Sequence, residues 1–358
     1  MKYKTILVTG GAGFVGSNLA ISFKRKYPKA RLIALDNLKR RGSELNLSRL
    51  KANGVEFLHA DIRCPEDLVL EARVDLLIEC SAEPSVLSGL KDNPGYIIHT
   101  NLTGTVNCLE LARKHKADVI FLSTSRVYPY GPLNKIKTKE LETRLDWQDG
   151  QHIHGWSKKG VDVGFTTEGA KTFYGATKLA SELLLEEYIT NYGIKAVINR
   201  CGVIAGPWQF GKVDQGVFTF WMLSHYFKKE LNYIGFGAKG KQVRDMLHIR
   251  DLFALIDLEA SQLARINGRI YNVGGGREVS LSLLETTQLC QEICGNRIKV
   301  GKDTRNRSGD IAIYLTDNRK VTQELGWSPK KSAPEIMGDI YAWIRKNEKQ
   351  IKQSLGYF

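Results

Sequence analysis

A tyrosine and a lysine four residues apart, Tyr174 and Lys178 in the string YGATK, form a pair that could move a proton. Residues at this spacing lie on one face of a helix. A tyrosine with a pKa of about 10 is a poor base at neutral pH, but a nearby ammonium favours the phenolate. The string alone is common by chance. It gains weight from a third polar group, Thr124, at the end of a predicted strand, and together the three residues predict acid–base chemistry.

A glycine-rich turn follows the first predicted strand. Gly10, Gly13 and Gly16 have GxxGxxG spacing, and Phe14 and Val15 lie where a helix is predicted to begin. A turn of this kind brings the backbone close to a pyrophosphate and points a helix N-terminus at its negative charge. The strand-to-helix junction therefore predicts a dinucleotide site. The alternative is a glycine turn that binds no ligand.

An acidic residue ends the second predicted strand. Asp36 lies 20 residues after Gly16, where a carboxylate would accept hydrogen bonds from the adenosine ribose hydroxyls and repel a 2′-phosphate. The predicted cofactor is therefore NAD rather than NADP, although an arginine such as Arg40 is able to accommodate a phosphate. Asp61 and Ile62, after the third strand, either flank the adenine or simply cap that strand.

Strands and helices that would position these groups alternate along the first 125 residues. The predicted strands are Thr5–Thr9, Leu32–Leu35, Val55–Leu58, Asp75–Ile78 and Val119–Leu122, and the predicted helices are Gly13–Phe23, Leu45–Lys51, Pro65–Ala72 and Thr103–Lys114. Such alternation implies right-handed crossovers and a parallel sheet. We therefore predict an α/β fold with a doubly wound parallel sheet of the Rossmann type and ligands at the carboxyl ends of its strands.

The rhythm changes after residue 128. Residues 129–170 are polar and glycine-rich and predict a long ordered loop, followed by a helix over 174–191 and a strand over 195–199. The pattern beyond Gly206 is irregular. We expect an NAD-binding domain over 1–200, with a returning segment near 240–260, and a smaller, mainly substrate-binding α/β domain over 201–358.

The composition is that of an ordinary globular protein, with 42% hydrophobic and 25% charged residues. An apolar run long enough for a membrane span and a signal-peptide pattern are both missing, and six cysteines are too few for a disulfide scaffold, so we expect a cytoplasmic protein with no membrane partner. The net charge of +14 is concentrated in residues 1–50, which carry +9. A nucleic-acid reader would show a basic stripe interleaved with aromatic residues, whereas the excess here lies in the first βαβ unit and at the C-terminus. We therefore expect a surface that attracts a phosphate-bearing ligand rather than nucleic acid, and a polyanion site is the alternative.

These residues together resemble the extended short-chain dehydrogenase/reductase family, the NAD-dependent nucleotide-sugar epimerases and dehydratases. The resemblance runs along essentially the whole chain and lies in Gly10–Gly16, Asp36-Asn37, Asp61-Ile62, Asn101–Thr105, Ser123-Thr124, Tyr174–Lys178, Val243–Asp245 and Asn272–Gly275. It implies NAD as the cofactor. It also implies a homodimer, or an oligomer based on one, paired through the helix of Tyr174 and the helix after Asn101.

The resemblance implies a role for each catalytic residue. Tyr174 would be the acid/base, Lys178 would tune it and bind the nicotinamide ribose, and Thr124 would hydrogen-bond the reacting oxygen. The cofactor site would comprise Gly10, Gly13, Phe14, Val15, Gly16, Asp36, Asn37, Asp61, Ile62, Ala82, Asn101, Ser123, Tyr174 and Lys178. A sugar carbon would lose its hydride to NAD, the ketone would turn, and the hydride would return to the other face.

One local feature distinguishes branches of this family. The 4,6-dehydratases place Asp-Glu directly after the catalytic Thr, whereas this chain has Ser125 and Arg126, so dehydration is disfavoured. The chain is most similar to epimerases acting at C2 of a CDP-linked dideoxysugar, in Gly42–Leu47, Gln209-Phe210, Asp214–Gly216 and Gly240–Asp245. Alternatives are an epimerase that takes a UDP- or GDP-sugar or acts at C4, and a non-catalytic NAD-sensing or RNA-associated regulator.

A nucleotide diphosphate needs cations and a pocket for its base and sugar. The predicted substrate-binding residues are Glu83, Ser85, Thr124, Ser125, Arg126, Gln209, Gln215, Arg244 and Arg307. Arg244 and Arg307 could instead form surface salt bridges with neighbouring aspartates. Glu83 could instead cap the helix that follows it. Gly202 and Ala312 replace a polar residue and an arginine of similar sequences, which leaves the sugar and the nucleotide open. We predict no metal site.

Overall fold

Short strands and helices alternate along the chain in a computed structural model that describes residues 2–211 and 215–356. The strands are β1 (Thr5–Thr9), β2 (Arg31–Asp36), β3 (Glu56–His59), β4 (Leu76–Glu79), β5 (Asp118–Thr124), β6 (Thr138–Glu140), β7 (Leu145–Trp147), β8 (Trp156–Ser157), β9 (Gly160–Val161), β10 (Ala196–Cys201), β11 (Val203–Ala205), β12 (Leu231–Ile234), β13 (Val243–His248), β14 (Arg269–Val273), β15 (Ser280–Ser282), β16 (Val300–Asp303) and β17 (Ile313–Tyr314). The α-helices are α1 (Phe14–Lys26), α2 (Leu45–Ala52), α3 (Gly95–Ile98), α4 (Gly104–His115), α5 (Tyr130–Lys135), α6 (Phe173–Tyr192), α7 (Val217–Tyr226), α8 (Ile249–Gln262), α9 (Leu283–Cys294), α10 (Arg319–Leu325), α11 (Ala333–Lys346) and α12 (Glu348–Leu355).

The main sheet has seven parallel strands in the order β14-β10-β5-β4-β1-β2-β3. The register aligns the ends of neighbouring strands, with Thr9 of β1 opposite Leu35 of β2 and Glu79 of β4. The strand order reverses its direction across the sheet between β1 and β4, and ligands of such sheets bind at the carboxyl ends beside this reversal. The predicted doubly wound parallel fold is therefore confirmed.

The chain divides into two compact units, each built from three segments. Unit 1 comprises Met1–Thr124, Phe173–Arg200 and Phe253–Ile270, and unit 2 comprises Ser125–Thr172, Cys201–Leu252 and Tyr271–Phe358. Unit 1 contains β1 to β5 and α6. Unit 2 contains a sheet in which β13 pairs with β11, β15 and β17, together with the pairs β12–β16, β6–β7 and β8–β9.

The core of unit 1 lies between the parallel strands and the helices that cover them. Leu7, Leu77 and Val119 come from neighbouring strands, and Leu109 and Ala112 come from α4; all five are buried. Strands covered on both faces have near-continuous apolar sequences, as in the segments LIAL, LLI and VIFL here. This apolar support is what fixes the carboxyl ends of the strands, where the polar residues of the site begin.

Two predicted segments differ in the structure. The predicted helix over 65–72 is a single 3-10 turn, Pro65–Leu68, because Leu68 is buried while Val69 is exposed and the segment has no continuous apolar stripe. The predicted loop over 129–170 contains α5 and the hairpins β6–β7 and β8–β9, whose strands are too short to give a sequence period. In the part of the chain that the structure describes, no helix combines the length and apolarity needed to cross a membrane.

A buried carboxyl–amide pair joins β10 to α8 inside unit 1. The Nδ2 of Asn199 donates to Oε2 of Glu259 at 2.8 Å, and both residues are fully buried. Within the described residues, Oδ1 of Asn199 and Oε1 of Glu259 have no other partner. A proton on Oε1 of Glu259, donated to Oδ1 of Asn199, would give both of these oxygens a hydrogen-bond partner. Burial raises the pKa of Glu259 to about 8, which favours this protonated form.

Replacing Glu259→Gln is expected to stabilise the protein increasingly as the pH rises from about 4.5 to about 8. In this window the unfolded chain ionises Glu259 while the folded chain keeps the proton, so the free energy of unfolding of the wild type falls by up to about 1.4 kcal/mol per pH unit. The glutamine does not titrate and forms an amide–amide pair with Asn199. Urea unfolding at pH 5 and pH 8 measures the difference, with the exposed Glu230→Gln as control. An equal effect of Glu259→Gln at both pH values would contradict the protonated state.

Candidate active site

The glycine-rich turn between β1 and α1 is shaped by close backbone contacts. Gly10 has φ +61°, a conformation that favours glycine, and a Cβ on it would lie 2.9 Å from the carbonyl oxygen of Cys80. A Cβ on Gly16 would lie 2.2 Å from the carbonyl oxygen of Gly10. Gly13 is the N-cap residue of α1 and has no side chain to cover the first N–H groups of the helix. The turn therefore fits a pyrophosphate, with Phe14 and Val15 in the first turn of the helix.

Asp36 ends β2 beside this turn. Its carboxylate accepts from the backbone N–H of Ala12 at 3.1 Å and of Leu38 at 2.8 Å. Burial raises the pKa of Asp36, whereas the backbone N–H groups of Leu38, Ala12 and Gly13 favour its charged form. The carboxylate thus lies at the carboxyl edge of the sheet next to the helix N-terminus, as a ribose-binding acid requires.

The residues predicted near the adenine form a polar cluster of their own. The side chain of Asn37 donates to Asp61 at 3.0 Å, and Arg63 forms an ion pair with Asp61 at 2.6 Å that holds the pKa of Asp61 well below its usual range. Ile62 is buried. Asp61 therefore has the contacts of a strand-end cap, and its place beside the adenine stays a prediction.

Sequence reasoning missed an aromatic ring at this edge. Lys39 lies 4.5 Å and the guanidinium of Arg63 lies 5.1 Å from the ring centroid of Tyr96. Such cation–π contacts fix the orientation of both cations. Tyr96 belongs to no sequence motif. Its position near the ends of β2 and β3 is therefore set only by the fold.

The segment after β4 is fastened to the turn before α4. Asn101 is fully buried in the π-helical turn His99–Thr103. Its side chain accepts from the N–H of Glu83 at 2.7 Å and donates to the carbonyl of Glu83 at 3.1 Å and to the hydroxyl of Thr177 at 3.2 Å. Asn101 thereby links the loop that contains Ala82 to α6.

Glu83 and Ser85 organise the same loop. The carboxylate of Glu83 accepts from the N–H of Ser85 at 3.1 Å, and the hydroxyl of Ser85 accepts from the N–H of Leu87 at 3.2 Å. The contact of the Glu83 carboxylate is with the loop itself, since the next described helix begins only at Gly95. The predicted contacts of Glu83 and Ser85 with a sugar stay predictions.

The predicted catalytic residues all belong to unit 1. Thr124 is the last residue of β5 and is buried, and Tyr174 lies half-buried in the first turn of α6. Lys178 lies one turn further along α6. Its ammonium is 3.3 Å from the carboxylate of Glu79, the last residue of β4, and 3.9 Å from the ring centroid of Phe121. The helix and two adjacent strand ends therefore position the three residues in the same unit.

A buried polar group fixes α6 against β5. Ser123 donates a short hydrogen bond to the carboxylate of Glu182, which also forms an ion pair with Arg200 of β10 at 2.7 Å. Glu182 lies two helical turns after Tyr174, so this contact sets the position of α6 relative to Thr124. Ser123 was predicted to bind the cofactor, whereas Glu182 was not predicted. The one sign of Glu182 in the sequence was its spacing of four residues from Lys178.

Arg244, which was predicted to bind the diphosphate, and Arg126, which was predicted to bind the substrate, both lie in unit 2. Arg244 on β13 donates to the carbonyl of Ile311 at 2.5 Å and to the carboxylate of Asp310 at 3.3 Å, and Arg126 donates to the carbonyl of Gly309 at 3.0 Å. Burial and the neighbouring charge of Arg126 lower the pKa of Arg244 to about 10. Both guanidinium groups thus lie against the segment Gly309–Ile311, and cations of this kind suit an anion.

The other predicted substrate-binding residues of unit 2 are spread over separate loops. Gln209 donates to the carbonyl of Ile204 at 2.9 Å and accepts from the hydroxyl of Thr219 at 2.6 Å, so its amide fastens α7 to the preceding loop. Ser125 begins the 3-10 turn that follows β5. Gln215 and Arg307 are half-buried.

Gly202 lies beside two buried polar side chains of unit 2. A Cβ at Gly202 would be 3.1 Å from both Oδ1 of Asp245 and Oγ1 of Thr316. A larger side chain here would therefore displace one of them. Among the residues that the structure describes, no three His, Cys, Asp or Glu side chains gather where they could hold a metal ion.

Comparisons with known proteins agree with this geometry. Residues 6–274 match the family described as the NAD dependent epimerase/dehydratase family. The chain is 33% identical over 346 residues to CDP-paratose 2-epimerase of Salmonella typhi, covering 94% of this chain and 98% of that protein. It is 29% identical over 355 residues to dTDP-glucose 4,6-dehydratase of an Actinoplanes species, covering 96% and 98%.

Solved structures show the same fold. UDP-glucose 4-epimerase of Thermotoga maritima, solved with UDP-glucose, has a TM-score of 0.78 at 24% identity and covers 96% of this chain and 99% of its own. UDP-glucose 4-epimerase of Thermus thermophilus, solved with NAD, has a TM-score of 0.73 at 24% identity and covers 95% and 99%. The predicted family, the predicted enzyme class and the predicted NAD cofactor are confirmed. The chain belongs to the NAD-dependent epimerase/dehydratase family of nucleotide-sugar enzymes.

Proposed function

We propose that this chain is a nucleotide-sugar epimerase that inverts C2 of a CDP-linked dideoxysugar. The observation that carries the proposal is the pair Ser125-Arg126 directly after Thr124, since water elimination needs an acid there and neither residue supplies one. Arg126 donates to the carbonyl of Gly309 and lies close enough to Arg244 to lower its pKa, so the position holds a cation. The 33% identity to a CDP-paratose 2-epimerase supports the choice of carbon and nucleotide.

The proposed chemistry needs a base, an oxygen-binding group and a hydride carrier. The glycine-rich turn and Asp36 would hold NAD, which would supply the hydride acceptor for the sugar carbon and the hydride donor for the ketone. The phenolate oxygen of Tyr174 takes the proton of the sugar hydroxyl and gives it back when the ketone is reduced. Thr124 binds the reacting oxygen. Lys178 supplies the positive charge that favours the Tyr174 phenolate.

The charges of unit 2 suit the remainder of the substrate. We assign Arg244 and Arg126 to the diphosphate, because one guanidinium group can donate two parallel hydrogen bonds to phosphate oxygens. Arg307 is a further cation for the same group. Gly202 lies against the buried carboxylate of Asp245 and the buried hydroxyl of Thr316, and position 202 is where we place discrimination between sugars.

We also propose a homodimer that pairs through α4 and α6. Leu183 on α6 is 58% exposed, so a partner helix packed there would bury an apolar side chain. Light scattering at working concentration tests this proposal. A monomer mass would remove it.

The wild-type protein is expected to prefer NAD to NADP by at least about tenfold in binding, and Asp36→Asn is expected to narrow that preference. The carboxylate of Asp36 repels a 2′-phosphate, whereas the amide keeps the size and some of the hydrogen bonds. Isothermal titration of the cofactor-free protein with both dinucleotides measures the ratio. Equal preference in the two proteins would show that Asp36 does not face the adenosine ribose.

Proton NMR of the purified protein with CDP-paratose and CDP-tyvelose in D₂O, without added cofactor, tests the proposed function. Interconversion without deuterium in the sugar would establish C2 epimerisation with direct return of the hydride by retained NAD. No reaction with these sugars, but C4 inversion of a UDP- or GDP-sugar, would refute the substrate and keep the epimerase. Loss of water from a nucleotide-linked hexose that keeps its 6-hydroxyl, to give a 4-keto-6-deoxysugar, would refute the epimerase.

A further inference from the structure

Lys178 and Glu79 form a buried ion pair. Both side chains are only 1% exposed, and the ammonium lies 3.3 Å from Oε2 of Glu79. The two residues come from different elements, α6 and the end of β4, and are 99 positions apart. Glu79 is not among the residues that carry out the chemistry proposed above.

The surroundings of the pair hold no further charge that contacts it in the described residues. Oε1 of Glu79 accepts from the hydroxyl of Thr9 at 3.5 Å. Burial raises the pKa of Glu79, whereas the contacting Lys178 ammonium and then the backbone N–H of Ser81 favour its charged form. The ring of Phe121 on β5 covers the ammonium. The thiol of Cys108, from α4, faces the pair, and burial and Glu79 raise its pKa well above the usual value, so it is neutral.

An ammonium in such a place needs a countercharge. Removing a lysine side chain from water disfavours its charged form and lowers its pKa, whereas a carboxylate in contact restores the charge. Removing one partner of a buried pair leaves an uncompensated charge. Glu79 is the one carboxylate that pairs with Lys178 among the residues described. The charge of Lys178 therefore depends on Glu79.

We propose that Glu79 is a positioning residue: its carboxylate holds the Lys178 ammonium charged and in place on the helix face that carries Tyr174, and so keeps Tyr174 competent as a base near neutral pH. This inference rests on the proposed function, in which Tyr174 is the base. Glu79 touches neither the cofactor nor the sugar in this role. It acts through Lys178 alone.

The direction of the pH effect follows from the charges. Without the carboxylate, the buried Lys178 loses its proton more readily, and a neutral amine no longer favours the Tyr174 phenolate. The pKa of Tyr174 then rises, and the ascending limb of the activity profile moves to higher pH. Direct action of Glu79 on Tyr174 would give the opposite sign, since removal of a negative charge favours a phenolate.

The test compares the NAD-loaded wild type with Glu79→Gln, which keeps the shape of the side chain and an acceptor for Thr9 and Ser81. Absorbance at 295 nm follows phenolate formation, and subtracting the trace of each protein's Tyr174→Phe counterpart isolates Tyr174. We expect Glu79→Gln to raise the midpoint of the Tyr174 titration by about one pH unit or more. At pH values below the midpoints of both proteins, kcat of the variant should be about tenfold lower than that of the wild type. The matched control is Glu259→Gln, a buried glutamate of the same unit, which should leave the midpoint unchanged.

An unchanged or lowered midpoint in Glu79→Gln would overturn the proposal, as would an equal shift in the control. A merely structural role would lower thermal stability without moving the midpoint. Glu79→Asp keeps the charge and is expected to restore most of the profile.

A second pair of variants decides the matter if Glu79→Gln does not fold. Lys178→Met and the double variant Lys178→Met, Glu79→Gln should give the same Tyr174 midpoint, because Glu79 then has no ammonium to act on. Midpoints that differ by more than about half a pH unit would overturn the proposal. The phenol titration uses no sugar, so a protein that titrates as expected but converts no nucleotide-sugar would refute the proposed function and not the coupling of Glu79 to Tyr174.

Discussion

Replacing Tyr174→Phe is expected to lower kcat for epimerisation by about 10²–10⁴-fold, the usual contribution of a positioned acid/base. The substitution removes one oxygen and keeps the ring in the first turn of α6. The glycine-rich turn and Asp36, which we expect to hold the cofactor, are untouched, so the variant should keep its NAD. Turnover of the nucleotide-sugar by NMR and the NAD content of the denatured protein measure the two effects.

Tyr192→Phe is the control for this variant, since Tyr192 lies on the same helix and is 58% exposed. It should retain wild-type turnover. Epimerisation by Tyr174→Phe within about tenfold of the wild type would show that another group moves the proton. Loss of NAD together with turnover would show that Tyr174 is needed to hold the cofactor, and the lost turnover would then give no support to its role as acid/base.

Gly16→Ala is expected to abolish NAD retention and to lower the melting temperature by several degrees. The added Cβ would lie 2.2 Å from the carbonyl oxygen of Gly10, 2.7 Å from its carbonyl carbon and 2.9 Å from the Cα of Gly11. These neighbours are backbone atoms, so the turn itself must shift, at a cost of about 1–3 kcal/mol or more. NAD content after gel filtration and thermal unfolding measure the two effects.

Gly338→Ala is the matched control for this substitution. Gly338 lies in α11, and a Cβ there would meet nothing within 4 Å. Alanine is favoured over glycine inside a helix by about 0.5–1 kcal/mol, so this variant should melt slightly higher and keep its NAD. A Gly16→Ala protein that retains stoichiometric NAD would show that the turn is not shaped by close packing.

Local patterns predicted the parts of the site that local geometry encodes. The strand Thr5–Thr9 has the predicted bounds, and the structure gives Gly10, Gly13 and Gly16 the close contacts that their spacing indicated. Spacing along one helix likewise placed Tyr174 and Lys178 in the same unit. Such features need only a few neighbouring residues, which is why a sequence carries them.

The rest of the site depends on contacts that no local pattern records. Glu79 ends a short apolar strand, and nothing near it in sequence indicates a lysine 99 positions away. Glu182 and Arg200 likewise meet only when α6 packs beside β10. The hairpin strands within 129–170 are two or three residues long, and the buried Trp147 among them had no period to mark it. Tertiary packing alone determines these positions.

The interleaving of the two units in sequence has consequences for folding during translation and for genetic recombination. The chain passes from one unit to the other after residues 124, 172, 200, 252 and 270, so unit 1 lacks a segment until residue 270 has left the ribosome. A nascent chain must therefore keep the apolar edge of its unfinished sheet from aggregating over most of its translation. A single genetic crossover is also unable to exchange either unit intact. With unit 2 proposed to bind the substrate, a new substrate preference would then need substitutions within unit 2 or more than one crossover.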